Sequence, residues 1–350
     1  MRYPNINGIR NNFISLGRKF LGKAIILLYH RVSNLKPDVQ VLCVSPENFI
    51  EQMTILKEQY NPISLLQLYE ASRKGKIPPR SVVLTFDDGY VDNFHDLKPI
   101  LDDIGIPATV FVTAGLVDGD KEFWWHELEQ LILSEIELPK EIVLKIQNKE
   151  YHWELTSSEQ TGKNIKSLSL DWGVEDPSPA KSRQRIYSDL TPLMNRMNKD
   201  DREFLLQTLR DCSRFQPKTR EKHRVMSSDE LMQLIKGDLV DIGAHTLWHS
   251  PLPYLTKEEQ WLEIKGSKDR LEKIIGRPIR SFAYPFSNKI GFNQTTLDLV
   301  QSAGFQVACA YAQGQVRFRS NPFQFPRFLV RNWDKEFFEG KLSKWFSSRY

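Results

Sequence analysis

Residues 81–90 have the sequence Ser-Val-Val-Leu-Thr-Phe-Asp-Asp-Gly-Tyr, in which an uncharged, largely β-branched run ends at two adjacent carboxylates. A short apolar run of this kind predicts a buried strand. The glycine that follows Asp87 and Asp88 permits a sharp turn, because it has no Cβ. The stretch therefore predicts a strand of an α/β fold that presents two acids at its carboxyl end.

A second apolar run, residues 239–242, is followed by His245 and His249. Residues four apart share one face of a helix, so we predict that one helical turn brings both imidazoles to a single ion. The carboxyl ends of strands in a βα fold meet at one rim, where active sites form. Two histidines and one acid make three protein ligands, which leaves positions for water and substrate. The two motifs together predict a catalytic divalent-metal site, with the second carboxylate beside it as a base.

Each motif also has a simpler interpretation. An Asp-Asp-Gly sequence is usually a turn whose aspartates hydrogen-bond the local backbone. A histidine pair at this spacing is more often exposed or hydrogen-bonded in a core. The metal site is favoured because both motifs come directly after apolar strands.

Strands alternate with helices along the chain, which predicts βα units and a parallel sheet closed into a barrel. The other predicted strands are 24–29, 108–112, 281–284, 306–310 and 325–330. Helices are predicted from Ser45, over 92–104, from Ser227, and over 258–275, 297–303 and 334–345. The fold class is therefore α/β.

The alternation is interrupted between about residues 118 and 223. Residues 123–128 begin a helix, residues 141–153 alternate as a hairpin does, and residues 178–212 are polar and helical in pattern. The predicted division of the chain is an N-terminal helical segment at 1–23, a barrel over 24–332 with a long helical insertion at about 118–223, and a C-terminal helix at 333–350.

The composition excludes several classes of protein. With 350 residues, 26% of them charged, and a formal net charge of +4, the chain is an ordinary globular protein without a dedicated nucleic-acid surface. The cysteines, Cys43, Cys212 and Cys309, are widely separated and give neither a disulfide framework nor a zinc-binding spacing. The apolar run 24–29 is too short for a secretion signal or a membrane span. We therefore expect a cytoplasmic protein. Residues 13–21 have the pattern of an amphipathic helix that packs on the domain; peripheral membrane contact is allowed but not indicated.

The motifs resemble those of the NodB-homology polysaccharide deacetylases, carbohydrate esterase family 4. Residues 85–89, Thr-Phe-Asp-Asp-Gly, and residues 245–249, His-Thr-Leu-Trp-His, are similar to the first two motifs of the family. Residues 282–286, Phe-Ala-Tyr-Pro-Phe, resemble the third. The resemblance covers roughly residues 24–115 and 225–332, and it implies a distorted (β/α) barrel of the polysaccharide-deacetylase type.

The resemblance implies that Asp88, His245 and His249 bind the metal and that Asp87 is the general base. The implied reaction is removal of N-acetyl groups from an acetylated oligo- or polysaccharide, with an O-acetyl ester as the alternative substrate. Zinc is the expected ion, and cobalt, manganese, nickel or ferrous iron would suit the same ligands.

The third motif departs from the family pattern, which is usually Arg-x-Pro-Tyr. Alanine stands at position 283, so the arginine expected to orient the base is missing there. Arg280, Arg327 and Arg331 are candidates for its role, and the sequence does not choose among them. We name Arg327 as the expected support for the base. The backbone amide of Phe286 remains able to contact an oxyanion, since a main-chain donor does not depend on the side chain.

The general acid also departs from the pattern, because family members commonly carry a late Leu-x-His and the last histidine here is His249. Residues 29–32, Tyr-His-Arg-Val, resemble the opening strand of a subgroup whose motifs are rearranged. We therefore expect His30 to be the general acid; a histidine hydrogen-bonded at a strand end is the simpler alternative.

Several alternatives stay open. A non-catalytic glycan-binding or scaffold protein would fit the missing arginine and late histidine. An iron oxygenase fits less well, because residues 85–90 lack the histidine that such sites place two positions before the acid. Trp124 and Trp125 have the character of aromatics that stack on sugars, although buried anchors are more common. His126 is not expected to be a ligand.

Overall fold

The computed structural model describes residues 22–146, 148–162, 172–176, 182–287 and 291–348. The predicted N-terminal helical segment at 1–23, including the amphipathic pattern at 13–21, therefore lies almost wholly outside the described residues.

The strands are β1 (Lys23–Tyr29), β2 (Arg31–Val32), β3 (Cys43–Val44), β4 (Asn61–Pro62), β5 (Ser81–Phe86), β6 (Ala108–Val112), β7 (Glu141–Ile146), β8 (Lys149–Glu154), β9 (Val240–Ala244), β10 (Ser281–Ser287), β11 (Val307–Tyr311), β12 (Val316–Arg317), β13 (Phe325–Pro326) and β14 (Phe328–Leu329). The α-helices are α1 (Pro46–Gln59), α2 (Leu65–Lys74), α3 (Lys98–Ile104), α4 (Trp124–Leu133), α5 (Ser157–Gln160), α6 (Ser182–Met194), α7 (Lys199–Ser213), α8 (Ser228–Leu234), α9 (Lys257–Ile275), α10 (Gln294–Ser302) and α11 (Lys335–Ser347).

The main sheet is a parallel barrel. Its strands follow the spatial order β1, β5, β6, β9, β10, β11 and β13, and each neighbouring pair is parallel. Only Arg327 separates β13 from β14, and β14 pairs in parallel with β1. Residues 325–329 therefore close the sheet, and the prediction of a distorted (β/α) barrel is confirmed.

Burial explains why the barrel strands were visible in the sequence. Every residue of β5 and β6 is buried, because a barrel strand is covered by side chains on the inside and by helices on the outside. Such strands are apolar without alternation, and β5 and β6 have the bounds that the sequence predicts, 81–86 and 108–112. The strand predicted at 325–330 is present as β13 and β14.

Local capping signals fix the helices that surround the barrel. Helix α1 begins after Ser45, whose hydroxyl accepts a hydrogen bond from the amide of Asn48. Helix α9 begins with a capping box at Thr256 and ends at Gly276, which has a φ of 73°. Both boundaries agree with the prediction to within one or two residues.

The single helix predicted over 92–104 is wrong in its first half. A π-helical turn, Asn93–Leu97, precedes α3. Pro99 has no amide hydrogen to donate to the carbonyl of residue 95, and its ring would clash there. Regular α-helical bonding therefore cannot run through this position.

The segment predicted as an insertion, residues 118–223, contains α4 to α7 and the antiparallel hairpin of β7 and β8. Helix α4 packs against α6 and α7. None of the described helices combines the length and the apolar character that a membrane-crossing helix requires.

Candidate metal centre

The carboxyl ends of three barrel strands bring the predicted residues to one rim. His30 follows β1, Asp87 follows β5, and His245 follows β9. The strand bonding extends to these residues: the amide of Asp87 donates to Tyr29 O at 3.0 Å, and that of His245 donates to Val112 O at 2.9 Å. The rim predicted from the order of strands is therefore present.

A tight turn after β5 separates the two aspartates. Asp88 and Gly89 have φ values of 75° and 80°. A Cβ on Gly89 would lie 3.0 Å from the side chain of Val112, so glycine is required there for both conformation and space. The left-handed conformation costs a non-glycine residue such as Asp88 about 1–2 kcal/mol. Such strain is typical of functional sites.

The segment that carries both histidines, residues 245–250, is hereafter the histidine loop. It is not a turn of helix, and that prediction is wrong. Thr246 and His249 have φ values of 64° and 52°, which no right-handed helix contains. The two imidazole rings still meet, with centroids 5.0 Å apart.

The loop conformation is set by an acid from outside the motif. The amides of Leu247 and Trp248 both donate to Glu263 Oε2 at 2.9 Å, and the hydroxyl of Ser250 donates to Glu263 Oε1 at 2.7 Å. These amides therefore find a side-chain partner in α9 instead of the carbonyls that a helix would offer.

Three side chains converge at the rim. Asp88 Oδ1 lies 3.6 Å from His245 Nε2 and 3.5 Å from His249 Nε2. Metal–ligand bonds of about 2.0–2.2 Å at tetrahedral angles would place ligand atoms about 3.3–3.6 Å apart. Within the described ranges, these residues form the one group of three or more His, Cys, Asp or Glu side chains able to share an ion. The donor set therefore fits a divalent metal.

Both imidazoles are in the neutral state that a metal ligand requires. His245 Nδ1 donates to the carbonyl of Ala283 at 2.9 Å, which leaves Nε2 with its lone pair facing Asp88. Burial lowers the pKa of His245, and it lowers that of His249 well below its ordinary value. Both rings are therefore neutral, as metal binding requires.

The carboxylate of Asp88 is buried, and one of its oxygens lacks, as far as the structure describes the chain, a hydrogen bond that would offset the loss of hydration. In the described part of the chain its Oδ1 has no hydrogen-bond partner. Burial, and then the neighbouring charge of Asp87, raise the pKa of Asp88 well above its ordinary value. A cation bound between this oxygen and the two imidazoles would relieve that cost.

Asp87 is held by Arg327. The two guanidinium nitrogens donate to the two carboxylate oxygens at 2.6 and 2.8 Å, and both side chains are buried. Burial alone would raise the pKa of Asp87, but the charge and hydrogen bonds of Arg327 outweigh it and hold that pKa below its ordinary value. Asp87 is therefore ionised and ion-paired, whereas Asp88 faces the histidines.

The other two candidate arginines do not contact Asp87. Arg280 precedes β10, at the opposite end of the barrel strands, and lies near Asp241. Arg331 lines the cleft at the rim, where it donates to Val41 O at 2.7 Å and pairs with Glu175. Of the three arginines, the structure brings Arg327 to Asp87.

His30 lines the same cleft as the two aspartates and both histidines. Loss of hydration lowers the pKa of His30 to about 3, although the charge of Asp87 opposes that shift. The ring is therefore neutral at physiological pH. The position agrees with the expected acid, and its role stays a prediction.

The cleft has a volume of about 350 Å³. Phe286 lines it with a φ of 65°, at a shift in the pairing of β10 with β11, and its ring lies 4.7 Å from that of His249. Trp124 and Trp125 also line it, but each is less than a tenth exposed. The indole nitrogen of Trp125 donates to Tyr90 Oη at 3.0 Å, so this residue is an anchor of the insertion.

His126 lies outside the group of possible ligands, as expected. Its Nε2 lies 2.9 Å from Tyr90 Oη, and its Nδ1 lies 3.4 Å from His223 Nδ1. The sequence analysis missed Glu263 and Arg202, which contact the histidine loop. A buried acid on the inward face of an amphipathic helix was a signal for Glu263; nothing in the sequence pointed to Arg202.

Comparison with known proteins agrees with this geometry. A family model described as polysaccharide deacetylase matches residues 74–172 and 214–308. A poly-beta-1,6-N-acetyl-D-glucosamine N-deacetylase of Escherichia coli K12 is 35% identical over 96 residues, which are 27% of this chain and 14% of that protein. One of Staphylococcus aureus MSSA476 is 30% identical over 126 residues, 32% of this chain and 42% of that protein. The matched part thus spans less than half of either relative.

Among solved structures, the Streptococcus pyogenes deacetylase PplD in complex with acetate superposes with a TM-score of 0.57 at 17% identity. The match covers 91% of this chain and 98% of that one. At this identity the likeness concerns the fold.

Proposed function

Because the chain belongs to the polysaccharide deacetylase family, we propose that it is a divalent-metal-dependent hydrolase that removes N-acetyl groups from a polysaccharide or other glycan. The observation that carries the proposal is the convergence of Asp88, His245 and His249 beside an ionised Asp87. Three ligands with a separate base suit hydrolysis better than a structural ion, which is normally enclosed by four protein ligands.

Asp88 Oδ1, His245 Nε2 and His249 Nε2 would hold the ion. A divalent cation there would polarise the acetyl carbonyl and lower the pKa of water. Zinc is proposed because two imidazoles and one carboxylate are ligands it prefers; cobalt, manganese, nickel and ferrous iron are the alternatives.

Asp87 is proposed as the general base. A general base must be ionised and must not bind the metal itself. The ion pair with Arg327 supports both, because the guanidinium contacts both carboxylate oxygens of Asp87. One direction of each carboxylate oxygen stays available to accept a proton from water. Proton transfer of this kind typically contributes about 10²- to 10⁴-fold to the rate.

His30 is proposed to protonate the departing amine. Because its pKa is about 3, it enters the reaction neutral and must receive a proton before passing one on. Water loses one proton and the amine gains one, so transfer from Asp87 to His30 balances the reaction. What supports this transfer is that His30 and Asp87 line the same cleft.

The amide of Phe286 is proposed as an oxyanion donor. The left-handed turn at this residue lies at the rim, beside the ring of His249. A main-chain donor fixed in this way needs no reorganisation as charge develops on the acetyl oxygen.

The substrate is proposed to be an acetylated oligo- or polysaccharide. Two relatives are named for poly-beta-1,6-N-acetyl-D-glucosamine, so oligomers of that sugar are the first substrate to test. The decisive assay measures acetate released by the zinc-loaded protein, with and without a chelator, and with Asp87→Asn as a variant that keeps the proposed metal ligands.

Release that depends on metal and on Asp87 supports the proposal. Binding of the oligomer without release of acetate would instead establish the non-catalytic glycan-binding alternative. That alternative drew on the missing motif arginine, and it loses this support because Arg327 pairs with Asp87.

A further inference from the structure

The histidine loop is held from outside the barrel by two helices. Helix α9 contributes Glu263, which accepts three hydrogen bonds from the loop. Helix α7, in the insertion, contributes Arg202, whose Nη1 donates to the carbonyl of His249 at 3.1 Å. The loop therefore lies between an acidic side chain, Glu263, and a basic one, Arg202, from separate parts of the chain.

Other contacts besides the one to the histidine loop hold the side chain of Arg202 in place. It is 3% exposed, and its Nε donates to Met194 O at 2.9 Å. Its guanidinium carbon lies 5.3 Å from the ring centre of Trp124 and 5.8 Å from that of Phe286. The acid whose charge acts on it is Glu263. A side chain ordered at so many points can set the position of whatever it touches.

His249 needs such support more than His245 does. A metal-binding histidine usually donates its second ring nitrogen to a fixed acceptor, which sets the orientation of the ring. His245 has this contact, to the carbonyl of Ala283. His249 Nδ1 has no hydrogen-bond partner among the residues described. Its ring is set by its left-handed backbone and by aromatic neighbours instead, with Trp125 and Phe286 at centroid distances of 5.0 and 4.7 Å.

Helix α7 touches the loop at a second point. Lys199 Nζ lies 3.7 Å from the ring centre of Trp248, one residue before His249. Contacts to both residues place the start of this helix directly over the loop.

We infer that Arg202 is a positioning residue of the metal centre, through which the insertion holds the imidazole of His249 on the ion while Glu263 fixes the rest of the histidine loop. The inference rests on the proposed function in that it takes the Asp88, His245 and His249 group to bind a metal. It assigns the insertion a role at the site that the barrel motifs alone do not supply.

The test measures zinc affinity of the full chain by competition with a chromophoric chelator. Arg202→Met keeps an unbranched, flexible side chain up to the position of Nε, and it removes the guanidinium with its hydrogen-bond donors and its contacts to Trp124 and Phe286. Loss of an outer contact to a ligand typically costs about 10- to 100-fold in metal affinity, and a weakening in that range is expected. The visible spectrum of the cobalt-loaded protein should change as well, because it reports ligand geometry.

The matched control is Arg210→Met, on the same helix. Arg210 pairs with Glu127 and Glu203, away from the histidine loop. This variant is expected to lower stability while leaving zinc affinity and the cobalt spectrum as in the unaltered chain. Equal weakening by both variants would mean that any loosening of the insertion disturbs the site, and it would overturn the inference.

A second pair of variants examines Glu263 by conservative rescue. Glu263→Gln keeps a carbonyl oxygen for the two amides and a donor for the hydroxyl of Ser250, so affinity should stay within a few-fold. Glu263→Ala removes all three contacts and should weaken zinc by at least about tenfold. Should Arg202→Met fail to fold, Arg202→Lys replaces a forked donor by a point charge, and affinity unchanged in it would contradict the inference.

These readouts are separate from catalysis. Zinc binding that needs Asp88 and weakens in Arg202→Met, without any acetate release, would refute the proposed hydrolase but support the positioning role. Tight zinc binding unchanged in Arg202→Met, with normal acetate release, would refute the positioning role alone. A chain that binds no divalent ion would refute both.

Discussion

Replacing Arg327 with methionine is expected to lower the free energy of unfolding by about 3–5 kcal/mol, because it leaves a buried carboxylate without its partner. Arg327 makes two hydrogen bonds of 2.6 and 2.8 Å to Asp87, and its side chain has no exposed surface. Methionine fills much of the same space, so the loss reports the ion pair more than a cavity.

The magnitude follows from the charges. Two unit charges about 4 Å apart attract by about 4 kcal/mol at an effective dielectric constant of about 20. Burial is the largest influence on the pKa of Asp87 besides Arg327, so we expect that pKa to rise in Arg327→Met. Protonation of Asp87 would then limit the loss of stability near neutral pH.

The sign of the pH dependence can be stated for the unaltered chain. Because the pKa of Asp87 lies below its ordinary value of 3.8, the ion pair stabilises the folded state above that value. This stabilisation is lost as the pH falls through the lower, folded-state pKa. In Arg327→Met this acid-dependent contribution should disappear.

The assay is a double-mutant cycle with Asp87→Asn, followed by urea denaturation and tryptophan fluorescence. Chelator-treated protein is needed, since bound metal would add its own stabilisation. We expect a coupling free energy of about 2–4 kcal/mol, because the second substitution removes the charge that the first left unpaired. Single effects that add to within about 0.5 kcal/mol would show that the two side chains are independent, and would refute the assignment of Arg327.

Three further outcomes are expected. His30→Gln should lower kcat by about 10²-fold or more while zinc content stays constant, measured by acetate release and metal analysis; unchanged turnover would remove His30 from the mechanism. Asp88→Asn should lose zinc and His126→Ala should retain it, since His126 lies outside the ligand group; metal analysis after dialysis decides this. Arg183 is buried and donates to carbonyls at the ends of α4 and α5 and in the loop that follows α4. Arg183→Met should therefore lower the free energy of unfolding by about 3 kcal/mol or more and speed proteolysis of the insertion, whereas Arg185→Met, at an exposed position, should do neither.

The barrel and the possible ligands could be predicted because their signals are local. A strand buried on both faces is apolar throughout, and a polar pair directly after it must lie at the rim. Asp87, Asp88 and His245 each follow such a strand, so their convergence needed no knowledge of distant contacts. The capping residues of α1 and α9 were equally local.

The prediction of a helical turn for His245 and His249 was wrong because the conformation there depends on a contact that is distant in sequence. The spacing of four allows a helix, but Glu263 offers the loop amides a better-placed acceptor from another element. A contact of that kind leaves no mark in the loop sequence itself. The insertion was similarly uncertain, because its hairpin strands pair with each other and its helices pack on one another, so their patterns do not repeat the βα units of the barrel.

Arg327 could not be chosen from the sequence because its partner depends on closure of the sheet. It lies between β13 and β14, the segment that joins β11 to β1, and only the closed barrel brings that segment within reach of Asp87. All strand ends of a barrel surround one centre, so an arginine on the closing strand can reach Asp87 as well as one on the third-motif strand. The chemistry requires a guanidinium in forked contact with Asp87 and does not specify its strand. The alanine at position 283 is therefore compatible with an ion-paired Asp87, and the placement of Arg327 explains how the family pattern can vary here without loss of that ion pair.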